Sequence, residues 1–440
     1  MTTCARVPRD AVRYRAWMTS QARDSDVDDA TAGPPRWRII GPGLVVAATG
    51  IGAGDLIATL VAGSRYGYAL LWAAIAGVII KIALVEGAGR FTLATGLTIF
   101  QGWRKLGVWT TVYFGPYIIL WGFVYGAAAM SSTALPLNAL APGVPVWAFA
   151  IASGLLGAVI VWFGRYKVFE YVIAFFVGLM FVTVVGAAIV TTPNLGDIVG
   201  GLVPRIPDGA LVYTLGIAGG VGGTITLAAY GYWLREKGWT TPRWMKVMRI
   251  DNAMAYVMSG IFVVAMLIVG AELLYSAQIT LADGDAGLIS LAEVLGERYG
   301  TFMTYFFLIG FWASSFSSIL GVWNGVSLMF ADFLGEVRGL PDDDQRRKLG
   351  GTYYRGYILW LTLPPMLLLL LGRPISLIIA YGVLGALFMP FLAITLLLLL
   401  NSKVVPKEWR NGWFLNTALG AVAVIFVVLG VNELIRALGA

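Results

Sequence analysis

After residue 36, apolar runs of about 20 residues recur along nearly the whole chain, each long enough as a helix to cross a hydrocarbon core of ~30 Å. This recurrence restricts the fold more than any other feature. In lipid every backbone N–H and C=O must be paired within the chain, so helices become the spanning element. Eleven spans are expected: 38–66, 69–89, 107–135, 145–163, 168–192, 209–235, 250–274, 299–333, 353–372, 375–400 and 412–435. The first, sixth and eighth are long because each carries polar or glycine-rich interruptions. Composition agrees, with 58% hydrophobic residues, 12% charged and a mean hydropathy of +0.79. Soluble proteins run at ~45–50% apolar and ~25% charged. The fold class is all-α integral membrane, and the lipid bilayer is the first partner.

Residues 1–36 hold many Arg and Asp and no apolar core, so no signal-peptide pattern precedes the first span. They read as a disordered cytoplasmic tail. Basic residues stay on the cytoplasmic side. With the N-terminus inside, 25 of the 31 Lys and Arg lie in the tail and inner connections. Arg65, Arg205, Arg298, Arg373 and Arg436 fall outside, and Lys81 falls within span two. The bias sets the N-terminus cytoplasmic and the C-terminus outside, in a cell inner or plasma membrane. It also explains the basic pI without nucleic acid, since the excess faces the anionic inner leaflet. The single Cys4 lies in the tail and there is no histidine, so no disulfide, thiolate metal site or imidazole chemistry is expected.

Non-helical chain at membrane depth survives only where it is buried or lines a cavity. Two stretches are candidate breaks. One is Gly50-Ile51-Gly52-Ala53-Gly54-Asp55 in span one; the other is "GIAGGVGGTIT", Gly216 to Thr226, in span six. Glycine at small-xxx-small spacing, such as Gly50 and Gly54, also serves close helix packing. Two clusters five spans apart, each followed by a polar residue, point instead to an inverted repeat with a substrate site between its unwound segments. The expected organisation is a core over 37–400, with repeats 37–192 and 209–400, then an inner loop and an eleventh helix over 401–440. Asp55 and Thr224 stand where the second half-helices would begin, and both are good N-caps.

The stretch "IIGPGLVVAATGIGAGDLIATLVAGSRYGYALLW", with "GRFTLATG" after it, resembles the first two helices of the Nramp divalent-metal transporters. "TLGIAGG" is similar to the start of their sixth helix, "RIDNAMAY" to their seventh and "ASSFSSILGVWNG" to their eighth, so the resemblance covers residues 37–435. It implies a leucine-transporter-like fold with broken helices one and six, and alternating-access transport. The substrate motifs depart from the family pattern. Its metal-binding Asp-Pro-Gly-Asn falls on Gly52-Ala53-Gly54-Asp55, and its Met-Pro-His falls on Gly223-Thr224-Ile225. The acidic residues of its third helix have no counterpart in "VYFGPYIILWGFVYGAAAMSSTALPL". Soft or borderline ligands select transition metals, and here only oxygen remains.

Lys81 and Glu86 lie in span two, where charges are expensive and face a cavity or each other. Five residues apart, they sit on poorly matched faces of a straight helix. Two destinations stand for Lys81: Asp55, which would neutralise it, or the interface by snorkelling. Glu86, near the inner end, is within reach of that interface. Tyr230, Tyr232 and Trp233 follow the second break, and Ser314, Ser315, Ser317, Ser318 and Asn324 form the richest polar patch elsewhere. Aromatics in membranes mostly pack or form interfacial belts, and helix-interior hydroxyls mostly bond their own backbone.

The leading expectation is a secondary transporter moving a small cationic or zwitterionic organic solute by alternating access, with proton coupling through Asp55, Lys81 or Glu86. Half-helix N-termini suit a carboxylate, Asp55 an ammonium, and aromatics a cation–π wall. The substrate-binding candidates are Gly52, Ala53, Asp55, Gly220, Gly223, Thr224, Thr226 and Tyr230. One alternative is transport of a hard divalent ion such as Mg²⁺ or Mn²⁺, with Asp55 as metal ligand. Another is a channel-like or non-transporting scaffold locked by Asp55 and Lys81. No P-loop and no nucleophile–base pair is present, so neither ATP hydrolysis nor an enzyme is expected, and no cofactor. Oligomeric state is open.

Overall fold

The computed structural model describes residues 41–50, 52–163, 166–191, 193–220, 223–276 and 286–439. The expected tail, residues 1–36 with Cys4, lies outside the described residues. Among them every regular element is a helix. Six are long and apolar enough to cross a membrane: Leu71–Thr95, Val108–Leu140, Val146–Phe163, Phe169–Val190, Pro242–Tyr275 and Thr301–Val337. Of the remaining expected spans, one, six and nine appear as interrupted helices.

Span one is two helices, Pro42–Gly50 and Ala53–Tyr66, and span six is also two, Leu211–Gly220 and Thr226–Glu236. Span nine differs from the continuous helix expected over 353–372. Its helix Thr352–Thr362 ends before Pro364-Pro365, and a single turn, Met366–Leu369, follows. Leu363 keeps helical backbone and bonds the Leu359 carbonyl, but Pro364 and Pro365 have no N–H to continue the ladder, which stops there. Spans ten and eleven are Pro374–Asn401 and Trp413–Gly439. Two further features escape hydropathy reading. A capping box, with Thr98 accepting from Gln101 N and Gln101 accepting from Thr98 N, starts a short amphipathic helix, Ile99–Leu106. Widened π turns at Phe181–Val185 and Gly270–Tyr275 interrupt spans five and seven.

Lipid supplies no hydrophobic drive between helices, so their backbones approach where residues are small. The second half of span one crosses span seven at Gly63 and Gly270, and a Cβ on Gly270 would stand 2.6 Å from the Leu60 carbonyl oxygen. Span two meets the first half of span six at Gly77, where a Cβ would be 3.1 Å from Ala218 Cα. Span eight lies at the centre, its apolar window 83% buried, whereas span four is peripheral at 28%. Exposed Ile79, Val159, Phe163, Phe175 and Leu370 coat the outside with apolar surface.

Charges collect at the two ends. At one end Glu86 lies between Arg90 (3.2 Å) and Arg249 (2.9 Å), Lys237 pairs with Glu170 (2.6 Å), and Arg347 joins Asp332 and Glu336. At the other, Tyr68 donates to Glu272 Oε1 at 2.6 Å, and Trp72 donates to the Arg205 carbonyl. Burial and the Glu272 carboxylate push the Tyr68 hydroxyl above its ordinary range, which keeps it a donor.

Candidate functional site

The two breaks meet. Gly52 caps the second half of span one at φ −132° and ψ −143°, its N–H donating to the Gly50 carbonyl at 3.0 Å. Gly223 lies between the halves of span six at φ +93°, a conformation open mainly to glycine. A Cβ on Gly223 would come within 3.2 Å of Gly50 Cα and collide with Thr226 Oγ1. Span eight closes against the first break, since Gly52 packs directly on Ser318, and Gly385 of span ten closes against Thr224. Each contact requires a hydrogen in place of a side chain, which is why both breaks are built of glycine.

A broken helix frees carbonyls that must be paired when buried. Ser318 Oγ donates to the Thr49 carbonyl at 2.7 Å, at the end of the first half-helix. A serine hydroxyl has one hydrogen, so the 2.7 Å contact between Tyr125 Oη and Ser318 Oγ has tyrosine as donor. The Gly223 carbonyl accepts from Lys81 Nζ, and Lys81 is fully buried. Lys81 follows Gly77 by one turn on the same face, so the close crossing at Gly77–Ala218 aims Lys81 at the break. Snorkelling to the interface is therefore not what Lys81 does. Two buried hydroxyls in the second break, Thr224 Oγ1 and Thr226 Oγ1, have no hydrogen-bond partner. An unpaired buried hydroxyl costs roughly 1–3 kcal/mol, so two in one turn mark a place where a ligand has something to gain.

Gly52, Gly223, Thr224 and Thr226 thus come together with Lys81, and Gly220 ends the first half of span six. Ala53 and Asp55 lie in the first turn of the second half of span one, where a negative charge is favoured by the helix dipole. Their side chains lie outside the described residues. The expected caps differ: Gly52 and Ile225, not Asp55 and Thr224, hold the N-cap positions, since the first cap falls among its glycines, three residues before Asp55, and the second falls one residue past Thr224. Tyr230 is fully buried one turn past Thr226, its hydroxyl donating to Asp251 Oδ2 at 3.0 Å. Glu86 sits between two arginines at one end of the bundle rather than at the break. Among the described residues, no group of three or more His, Cys, Asp or Glu could hold a metal ion.

Sequence reasoning missed two sets of residues. Asp251 of span seven accepts from Gly43 N at 2.6 Å, fixing the start of the first half-helix, and Gly41 and Gly43 leave it room. On span three, Trp121 stacks on Tyr125 with centroids 4.6 Å apart, and Tyr381 of span ten meets Tyr125 edge-on at 4.8 Å. This aromatic wall adjoins Ser318. Its signal was present in the sequence, since Tyr113, Tyr117, Trp121 and Tyr125 recur every four residues along one helix face.

The profile described as "Natural resistance-associated macrophage protein-like" matches residues 43–436. The "Divalent metal cation transporter MntH" of Mycobacterium leprae is 26% identical over 316 residues, which cover 67% of this chain and 70% of that protein. Among solved structures, a manganese transporter of Eremococcus coleocola superposes with a TM-score of 0.74 at 15% identity, covering 92% of this chain and 89% of the other. MhsT in complex with L-phenylalanine superposes at 0.58 with 13% identity, over 92% and 100% of the chains. The chain therefore belongs to the Nramp family of multi-pass membrane transporters and has the leucine-transporter-like fold, with spans one and six broken where they meet.

Proposed function

We propose that this protein is a secondary active transporter that works by alternating access and carries a hard divalent metal ion such as Mg²⁺ or Mn²⁺ through the meeting point of the two breaks. The observation that carries this reading is the oxygen-only turn at Gly223–Thr226, with its unpaired Thr224 and Thr226 hydroxyls, where Gly223 packs on Gly50. Hard cations that keep part of their water shell need few protein oxygens. The names of the curated relatives support the same substrate class. Asp55, one turn into the adjoining half-helix, supplies the carboxylate. The grouping of Arg90, Arg104, Arg249 and Arg347 at one end supports an inside N-terminus and an outside C-terminus.

A second reading, a small cationic or zwitterionic organic solute, is favoured by the Lys81 ammonium on the Gly223 carbonyl and by the Trp121–Tyr125–Tyr381 wall. A divalent ion ~5 Å from a fixed ammonium would be repelled by roughly 7 kcal/mol at an effective dielectric of about 20. Micromolar binding supplies only ~8 kcal/mol in total. Metal transport through this site therefore requires Lys81 to withdraw or lose its proton, which makes Lys81 and Asp55 the coupling groups in place of the arginine-paired Glu86.

Uptake into proteoliposomes tests the reading. Wild-type protein is expected to take up Mn²⁺ or Mg²⁺ saturably, accelerated by an inward proton gradient, and Asp55→Asn to lose about tenfold or more in rate, as removal of a charged ligand should. Absence of divalent uptake, with stabilisation by an organic amine or amino acid, would replace the metal by the organic solute. Absence of any uptake would leave the locked scaffold.

A further inference from the structure

Lys81 is fully buried, reaches the second break from a neighbouring span, and donates to a backbone carbonyl that helix breakage has freed. Thr224 and Thr226, which follow it in the turn, carry hydroxyls. Thr226 Oγ1 lies so close to Gly223 that a Cβ there would collide with it, and Thr224 Oγ1 is one residue on. A freed carbonyl with adjacent hydroxyls is the donor set that binds small hard cations in unwound transporter helices. An ammonium on a four-carbon stem is a compact cation of similar character. The placement is built, since Gly77 brings span two within backbone contact of Ala218 one turn above Lys81.

We propose that Lys81 is a tethered cation that occupies the Gly223 carbonyl, one ligand of a cation-binding site that the unpaired Thr224 and Thr226 hydroxyls complete when a free cation enters. When no free cation is present, the chain satisfies the carbonyl itself and leaves the two hydroxyls unpaired. Any free cation entering it competes with Lys81, which makes Lys81 the residue that sets cation affinity at the break. The proposal rests on the reading that the two breaks form the transport site. Its readout is cation binding by a variant, which is independent of whether the wild type moves a metal.

The test is equilibrium binding and thermal unfolding of purified Lys81→Ala, Lys81→Met and wild-type protein in detergent, with Na⁺, Mg²⁺, Mn²⁺ and methylammonium as probes. Lys81→Ala vacates the charge and the volume, and is expected to bind at least one probe about tenfold or more tighter than wild type, because the like-charge competitor is gone. Lys81→Met fills the volume without charge and should gain less. If Lys81→Ala is unstable, methylammonium, which restores the missing ammonium, should raise its unfolding temperature more than that of wild type. Affinities within about threefold of wild type for every probe, with no selective stabilisation by methylammonium, would overturn the proposal and leave Lys81 a structural tie. Divalent uptake by wild type combined with this negative result would retain the metal reading while discarding the tethered cation.

Discussion

The two breaks look alike in sequence, yet they are held open by different means. At Gly52 φ is negative (−132°), and the restriction comes from outside, where Ser318 occupies the space a side chain would need. At Gly223 the restriction lies in the backbone itself, at φ +93°. Their freed carbonyls are also satisfied differently. Thr49 accepts from a neutral hydroxyl backed by Tyr125, whereas Gly223 accepts from a buried ammonium. In the neutral arrangement the Thr49 carbonyl and the Ser318 hydroxyl are both paired within the chain. The charged one leaves two hydroxyls unpaired beside it. On the proposed reading, then, the first break is a packed hinge and the second a binding turn.

The largest effect expected from this contrast is an asymmetry of rescue. Gly52→Ala overpacks against Ser318 and should destabilise by about 1–3 kcal/mol. Adding Ser318→Gly removes the colliding atoms and should recover most of that loss, less the hydrogen bond to Thr49. Gly223→Ala combines an unfavourable φ with collision against Thr226 Oγ1, for roughly 3 kcal/mol or more. Thr226→Gly relieves the collision but not the backbone, so rescue there should stay below about half, the αL cost alone being ~1–3 kcal/mol. Unfolding midpoints of the four variants in one detergent check this. Equal rescue at both positions would erase the distinction between the breaks.

A smaller effect tests whether the first break is self-contained. Ser318→Ala removes a neutral hydroxyl that serves Thr49 and Tyr125, at a cost of about 1–2 kcal/mol in stability. Substrate affinity should change by less than about threefold, since the hydroxyl pairs within the protein. A tenfold loss of affinity without loss of stability would move Ser318 from the hinge into the binding turn.

How much of this was legible beforehand follows from how far each determinant reaches along the chain. The spans were legible because bilayer thickness imposes a length on any apolar helix. Both breaks were legible because Gly50–Gly54 and Gly219–Gly223 are local. The stop at Pro364-Pro365 was equally local, but a hydropathy window averages over it. Lys81's partner was not legible, because its contact with Gly223 depends on how closely Gly77 crosses Ala218, a distance set by packing of spans two and six. The same holds for Asp251 on Gly43, where residues 208 positions apart meet. The substrate class is the least legible, since the ligands the family uses are replaced by groups that any buried turn might contain.

The smallest expected effect on stability is also the one that best separates a binding turn from a hinge. Thr226→Val keeps the shape of the side chain and removes a buried hydroxyl that has no partner, so its stability should be unchanged or raised by up to about 1 kcal/mol. In a hinge nothing else would change. In a binding turn the hydroxyl is held unpaired for a ligand, and its removal should weaken substrate binding by roughly 1 kcal/mol, about fivefold, with Thr224→Val behaving alike. Opposite signs in stability and affinity, measured by unfolding midpoint and substrate titration on the same preparation, are the result that assigns the turn. A fall in both would show that the hydroxyl is paired within the protein and that the contrast between the two breaks does not extend to ligand binding.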